Sequence, residues 1–85
     1  MRRDLFTTLE MLQRDGLNAD VRLANGLIEV RLDEHRATFP IKKANKAADW
    51  LAAAAVMNHP ESGFSRLWLA LAKIAGGAIP FGSRQ

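Results

Sequence analysis

Four basic side chains follow one another in this sequence with no acid between them. They are Arg36, Lys42, Lys43 and Lys46, and the stretch without an acid continues to Ala48. Clustered lysines and arginines bind phosphate and carboxylate groups through charge-assisted hydrogen bonds. We therefore predict an anion-binding surface here. The alternative interpretation is an ordinary group of solvated lysines, because runs of one sign are common on protein surfaces.

The three lysines lie at the start of an alanine-rich segment, residues 43 to 57, that is predicted to be a helix. The N-terminus of a helix carries a partial positive charge, so stability alone favours acids at this position. Added lysines make the exposed N–H groups of such a helix start more suitable for phosphate or carboxylate. The placement of the lysines therefore favours a role in binding an anionic partner.

Residue types that perform catalysis are present, but their spacing is not that of a catalytic site. His35 and His59 have no second ligand at the spacing of a metal site, and Ser62 and Ser65 do not form a G-x-S-x-G elbow. The glycines at 76 to 82 lack the G-K-[ST] ending of a phosphate-binding loop. We predict a non-enzymatic protein with no catalytic residue, no metal and no cofactor.

The basic residues are positioned by a predicted hairpin, ADVRLANGLIEVRLD, residues 19 to 33. Its central Asn25-Gly26 is typical of a two-residue type I′ turn, which fixes the register of the two strands. In that register one face carries apolar pairs and the other carries pairs of opposite charge. The charged pairs are Arg22 with Glu29 and Asp20 with Arg31.

A third strand, residues 35 to 41, is predicted after a turn at Asp33-Glu34. Its apolar positions, expected to continue the apolar face of the hairpin, are Ala37, Phe39 and Ile41. Arg36 would lie opposite Arg31, and like charges on paired strands repel each other. Folding does not explain this pair, so we assign Arg31 and Arg36 to the predicted anion-binding surface.

Three helices complete the prediction. The first, residues 4 to 15, has Asp4 as its N-cap and Gly16 as its stop. The second has two adjacent apolar stripes, which predict a central helix with neighbours on two sides. These stripes contain Ala44, Ala48, Leu51 and Ala55, and Ala47, Trp50, Ala54 and Met57. The third, from about residue 64 to 75 and ended by Gly76-Gly77, has a core stripe of Phe64, Leu67, Trp68, Leu71 and Ile74 or Ala75.

The third helix is apolar beyond what one contact face requires. Trp68 either completes the core or joins Leu69 and Arg66 in a surface that contacts a partner protein or a second copy of the chain. Both interpretations stay open at this point. If the surface contacts a second copy, the chain is a homodimer.

The order α-β-β-β-α-α predicts an α+β fold, in which helices cover the apolar face of a small antiparallel three-stranded sheet and the charged face meets solvent. The 85 residues form one domain, with 1–3 and 78–85 expected to be mobile. The most apolar run, residues 67 to 81, contains Lys73 and is shorter than the roughly 20 residues of a membrane span. The net charge of +3 and the absence of cysteine suit a cytoplasmic protein with an anionic partner and no membrane contact.

The segment IKKANKAADWL resembles the start of the last helix of double-stranded-RNA-binding domains. Lys42, Lys43 and Lys46 match the K-K-x-x-K pattern of that family, and the order helix, hairpin, strand, helix matches over residues 4 to 57. The family also places a longer loop with a Gly-Pro-x-His signature between its first two strands, where this chain has Asn25-Gly26. The resemblance implies contacts between the lysines and the phosphates of a duplex.

A second segment, SGFSRLWLAL, resembles the end of small phage-encoded type I anti-CRISPR inhibitors. The matching positions are Ser62, Gly63, Phe64, Arg66, Leu67 and Ala70. The resemblance covers roughly residues 21 to 75 and implies a non-enzymatic protein that blocks a nucleoprotein complex. This chain differs by an added first helix and a longer gap between Trp50 and Ser62.

We therefore expect a small phage or mobile-element protein that occludes a protein or nucleoprotein target with an acidic or phosphate-rich surface. The alternative is a module that binds double-stranded nucleic acid through Lys42, Lys43 and Lys46.

Overall fold

The computed structural model describes residues 4 to 74, and its elements follow the predicted order α-β-β-β-α-α. The helices are α1 (Leu5–Arg14), α2 (Ala44–Asn58) and α3 (Gly63–Ile74), and the strands are β1 (Ala19–Ala24), β2 (Leu27–Leu32) and β3 (His35–Pro40). A 3-10 turn, Ile41–Lys43, connects β3 to α2. The predicted mobility of residues 1–3 and 78–85 and the predicted helix end at Gly76-Gly77 lie outside the described residues.

The hairpin has the predicted register. The strands are antiparallel in the order β1-β2-β3, with Arg22 opposite Glu29 and Asp20 opposite Arg31. Asn25 and Gly26 have φ values of 54° and 74°, as a type I′ turn requires. A Cβ at Gly26 would meet no atom within 4 Å, so the constraint at this position comes from the backbone angle and not from space.

The third strand pairs with β2 so that Arg36 lies opposite Arg31, as predicted. Ala37 and Phe39 are half-buried against the core. Ile41 was predicted to continue this apolar face, but it is 49% exposed. The reason is that β3 ends at Pro40 and the 3-10 turn takes Ile41 out of the alternating pleat of the strand.

Helix α2 is the central helix, as predicted, because it contacts α1, β2, β3 and α3. Its buried residues are Ala47, Ala48, Leu51, Ala52, Ala54 and Ala55. Five of these six are alanines, whose small side chains allow neighbouring elements to approach closely on several sides. The assignment of Met57 to an apolar stripe was wrong. Met57 lies in the last turn of α2 and is 76% exposed.

Helix α3 begins with hydrogen bonds to three separate parts of the chain. Ser62 Oγ accepts from the Ser65 backbone N–H at 3.1 Å, and the Asp15 carboxylate accepts from the Phe64 backbone N–H at 2.5 Å. The buried Ser65 hydroxyl donates to the Ala55 carbonyl at 3.1 Å. These bonds fix the start of α3 against the end of α1 and the body of α2.

The core stripe of α3 differs from the predicted one. The Phe64 and Trp68 rings stack with their centroids 5.7 Å apart, and they set the inner face of the helix. Residues one turn apart along a helix share a face, so Ala72 follows Trp68 into the interior. Leu67 and Ile74 fall outside this row and are 50% and 81% exposed.

Candidate functional site

The lysine cluster, defined as Lys42, Lys43 and Lys46, surrounds the N-terminus of α2. The first two residues belong to the 3-10 turn and the third lies in the first turn of α2, so the helix start predicted at residue 43 is preceded by this extra turn. All three side chains are exposed. Their spacing of three and four residues brings neighbouring ammonium groups onto adjoining surface.

No side-chain oxygen caps this helix start at the usual positions. Neither Pro40, which precedes the 3-10 turn, nor Lys43, which precedes α2, supplies a side-chain cap, and the first turn of α2 contains no acid. Asn45 Oδ1 accepts from the Lys46 backbone N–H at 3.0 Å. The positive end of the α2 dipole and the lysine cluster therefore reinforce one another.

Six carboxylates of the described residues are engaged elsewhere. Asp4 and Asp15 cap α1 and α3, and three further acids form ion pairs outside the lysine cluster. These pairs are Glu10 with Arg14, Asp20 with Arg31 and Glu29 with Arg22, and the Asp33 carboxylate contacts His59 Nε2. Between residues 4 and 74, no ion pair joins a carboxylate to the lysine cluster.

Arg31 is held by acceptors of its own hairpin. Its guanidinium pairs with the Asp20 carboxylate and donates to the Asp33 carbonyl at 2.9 Å and to Asn18 Oδ1 at 3.3 Å. The side chain is only 25% exposed. The like-charge pair of Arg31 and Arg36 is therefore compensated within the fold, which removes the reason for assigning Arg31 to a binding surface.

Arg36 is exposed, but it lies far along β3 from the lysine cluster. It pairs with Arg31 near the β2–β3 turn, whereas Pro40 pairs with Leu27 near the hairpin turn. The four residue steps from Arg36 to Pro40 span about 13 Å in an extended strand. The five basic residues predicted to form one surface therefore occupy two ends of the sheet, and only the lysine cluster is compact.

Exposed apolar side chains accompany the lysine cluster. Ile41 begins the 3-10 turn, and its N–H donates to the Gly26 carbonyl at 3.2 Å. This bond ties the turn to the tip of the hairpin, where Leu27 is 44% exposed. The sequence places no aromatic residue on the outward face of the sheet, so bases cannot stack there as they do on sheet surfaces that bind single strands.

The second candidate surface, on α3, contains one buried and two exposed residues. Trp68 is only 6% exposed and belongs to the core, so its assignment to a protein interface is corrected to a structural role. Arg66 and Leu69 are exposed, the latter by 44%. These two residues remain accessible for contact with a partner, as the sequence predicted.

His59 has contacts that the sequence did not predict. Its Nε2 lies 2.6 Å from Asp33 Oδ2 and its Nδ1 lies 3.9 Å from Glu61 Oε2. The contact with Asp33 joins the end of α2 to the β2–β3 turn, across 26 positions of sequence. No sequence spacing signals such a pair, because the fold alone brings the two loops together. Across residues 4 to 74, no group of three or more potential metal ligands forms.

Comparisons with protein-family models, with curated proteins and with solved structures gave no match to this chain. No helix among the described residues is long and apolar enough to cross a membrane.

Proposed function

We propose that this chain is a small non-enzymatic binding protein that occludes an acidic or phosphate-rich surface of a protein or nucleoprotein target, using the lysine cluster as its main contact. The observation that carries the proposal is the uncompensated charge of Lys42, Lys43 and Lys46 at the positive end of α2. Arg14, Arg22 and Arg31 have carboxylate partners, whereas Arg36, Arg66 and Lys73 are exposed without an ion pair among the described residues. The lysine cluster differs from these three single cations because its charges are grouped at the positive end of a helix.

A protein surface is favoured over a bare duplex by the residues beside the cluster. Ile41 and Leu27 are exposed next to the lysines, and protein interfaces combine an apolar centre with a polar rim. A phosphate backbone is charged and offers such apolar groups much less to contact than the apolar centre of a protein interface. The lysines would accelerate encounter with an acidic target, and the apolar groups would slow dissociation.

The resemblance of SGFSRLWLAL to type I anti-CRISPR inhibitors suggests the mode of action. We propose stoichiometric occlusion by a phage or mobile-element protein in the cytoplasm, with no turnover of a substrate. In that mode one bound copy blocks one target, so inhibition would titrate with protein concentration and would need neither a cofactor nor a metal.

Binding to double-stranded nucleic acid is the second candidate function. It is favoured by the spacing of Lys42, Lys43 and Lys46, which matches the helix start of double-stranded-RNA-binding domains. The Asn25-Gly26 turn replaces the loop that those domains insert into a minor groove. Binding by the lysine cluster alone would therefore be weak and independent of sequence.

The experiment that separates the two candidates uses a labelled RNA duplex and labelled polyglutamate as probes. Fluorescence anisotropy measures the affinity of the wild-type chain for each probe at several salt concentrations. Our first candidate predicts lysine-dependent binding of polyglutamate. The second predicts binding of the duplex with a slope of about −0.9 per phosphate contact when log affinity is plotted against log salt.

Two triple variants with the same loss of charge provide the control. K42A/K43A/K46A is expected to lose binding to the preferred probe, whereas R14A/R66A/K73A, which removes three exposed cations elsewhere, is expected to keep it. Equal losses in both variants would show a dependence on net charge alone. Loss only in R14A/R66A/K73A would move the site to α1 or α3, and failure of both probes to bind would contradict the proposal.

A further inference from the structure

Strand β1 presents an open edge of the sheet. Among the described residues, β1 pairs with β2 on one side and with no strand on the other. Sheets commonly protect such edges with proline, a bulge or charged side chains. The outer edge of β3 ends in Pro40, whereas β1 contains no proline and carries one charge of each sign, Asp20 and Arg22. Such charges repel a strand with like charges opposite them, but a strand with complementary charges can pair with this edge.

The register identifies the backbone groups that face this open edge. A two-residue hairpin turn makes Ala24 and Leu27 the first hydrogen-bonded pair, so the even-numbered residues of β1 bond to β2. The Asp33 N–H donates to the Asn18 carbonyl at 2.9 Å, which continues the same alternation. The N–H and C=O groups of Val21 and Leu23 are therefore directed away from β2.

The side chains along this edge are also incompletely covered. Val21 is half-buried, and Leu23 is 56% exposed although it lies on the apolar face of the sheet. At the start of the strand, the Ala19 N–H donates to the Leu17 carbonyl at 3.1 Å, and the Ala19 carbonyl accepts from Gln13 Nε2 at 2.9 Å. A carbonyl oxygen has two lone pairs, so this bond leaves one of them for a further donor.

We propose that β1 is a homodimer interface, in which two copies of the chain pair their β1 strands antiparallel about a two-fold axis at Val21. This pairing joins the two sheets into one of six strands. It uses a different surface from the lysine cluster and from α3, and it does not depend on the function proposed above.

The side chains of β1 select this register. In an antiparallel pair, the side chains of directly opposite residues lie on the same face of the sheet, while neighbouring residues of one strand lie on opposite faces. A two-fold axis perpendicular to the sheet must therefore place one residue opposite its own copy. With the axis at Val21, Asp20 of each copy faces Arg22 of the other. In the same register, Leu23 of each copy packs against Ala19 of the other. With the axis at Arg22 or at Asp20, two identical charges face each other and repel.

This self-complementarity makes a second copy the partner that fits the edge. Opposite charges meet twice on the outward face and apolar side chains meet twice on the inner face, all supplied by one six-residue strand. Pairing of one strand buries a small area, so we expect a weak dimer that forms at high micromolar concentration. Association would also support a domain with a small core.

Sedimentation equilibrium of the full chain, from low to high micromolar concentration, tests the proposal. The mass is expected to rise from 9.4 kDa toward twice that value. Val21→Pro removes an edge-facing N–H and is expected to keep the chain monomeric. Thr38→Pro, which makes the matched change at the outer edge of β3, is expected to leave the dimer intact. A wild-type chain that stays monomeric throughout would overturn the proposal, as would equal effects of the two variants.

A charge-reversal pair tests the register itself. D20R and R22D each place like charges opposite one another, so each variant alone is expected to be monomeric. Mixed in equal amounts, the two variants bring opposite charges together at both positions and are expected to form a heterodimer. Circular dichroism confirms that each is folded. Failure of the mixture to associate, or loss of the wild-type dimer in Leu69→Ser, would overturn β1 as the interface.

Discussion

Helix α3 begins against a carboxylate, whereas helix α2 begins among three lysines. At α3, Asp15 reaches from the end of α1 to accept the Phe64 N–H, and Ser62 accepts a second backbone donor. Both groups place negative charge or oxygen lone pairs at the positive end of the helix. At α2 the same position carries Lys42, Lys43 and Lys46, with no acid in the first turn.

The difference separates charges that stabilise the fold from charges that do not. Asp15 contributes to stability through a specific hydrogen bond between distant parts of the chain. Within the described residues, the lysine cluster makes no ion pair, and its positive charges lie at the positive end of the helix dipole, where they lower stability. Changes at the two helix starts should therefore have opposite effects on stability.

The largest expected effect comes from Gly26→Val, because Gly26 forms the hairpin turn to which the chain just before α2 is hydrogen-bonded. Gly26 has φ of 74°, where a β-branched residue is strongly disfavoured, and its carbonyl holds the Ile41 N–H. We expect a loss of about 2 kcal/mol in the free energy of unfolding, measured by urea denaturation. Asn25→Gly, the matched change at the preceding positive-φ residue, should be close to neutral. A stable Gly26→Val chain would contradict the assigned turn.

The next effect in size is that of Asp15→Lys, which would give α3 the kind of start that α2 has. The substitution removes a capping carboxylate and adds a cation to the positive end of the helix. We expect a loss of about 1–2 kcal/mol in unfolding free energy. Asp15→Asn retains an oxygen acceptor and should lose less. Wild-type stability in Asp15→Lys would show that the contact with Phe64 contributes nothing.

The smallest effect is expected on the outward face of the hairpin, where charges are already matched. Exchanging Arg22 and Glu29 in the double variant R22E/E29R keeps an opposite-charge pair across the strands. The stability should change by less than about 1 kcal/mol, since an exposed cross-strand pair contributes little. R22E alone places two acids opposite each other and should be the less stable variant in thermal melts. If R22E equals the double variant, the pair has no role in the register.

The hairpin and the element order could be predicted from the sequence because their signals are local. Asn25-Gly26 fixes a turn, and alternation of apolar and charged residues then fixes the register of both strands. The same reasoning placed Arg36 opposite Arg31, and the structure confirms that pair. It missed the engagement of Arg31 by Asn18 and the Asp33 carbonyl, because those acceptors lie at the loop ends of the strands.

Other features could not be predicted because they depend on how helices are rotated and brought together. The inner face of α3 is set by the stacking of Phe64 and Trp68, and periodicity alone allowed Leu67 on that face. The contacts of Asp15 with Phe64 and of His59 with Asp33 join segments 49 and 26 positions apart. The lysine cluster was predictable as a group, whereas its separation from Arg36 required the course of β3.

The most direct test of the account is the triple charge reversal K42E/K43E/K46E, studied for affinity and stability in the same samples. Binding to the probe preferred by the wild-type chain, duplex or polyglutamate, should be lost at physiological salt. The melting temperature should be unchanged or higher, because acids suit a helix start and each contributes up to about 1 kcal/mol there at low salt. Normal binding by this variant, or a marked fall in its melting temperature, would contradict the claim that the lysine cluster serves binding and not folding.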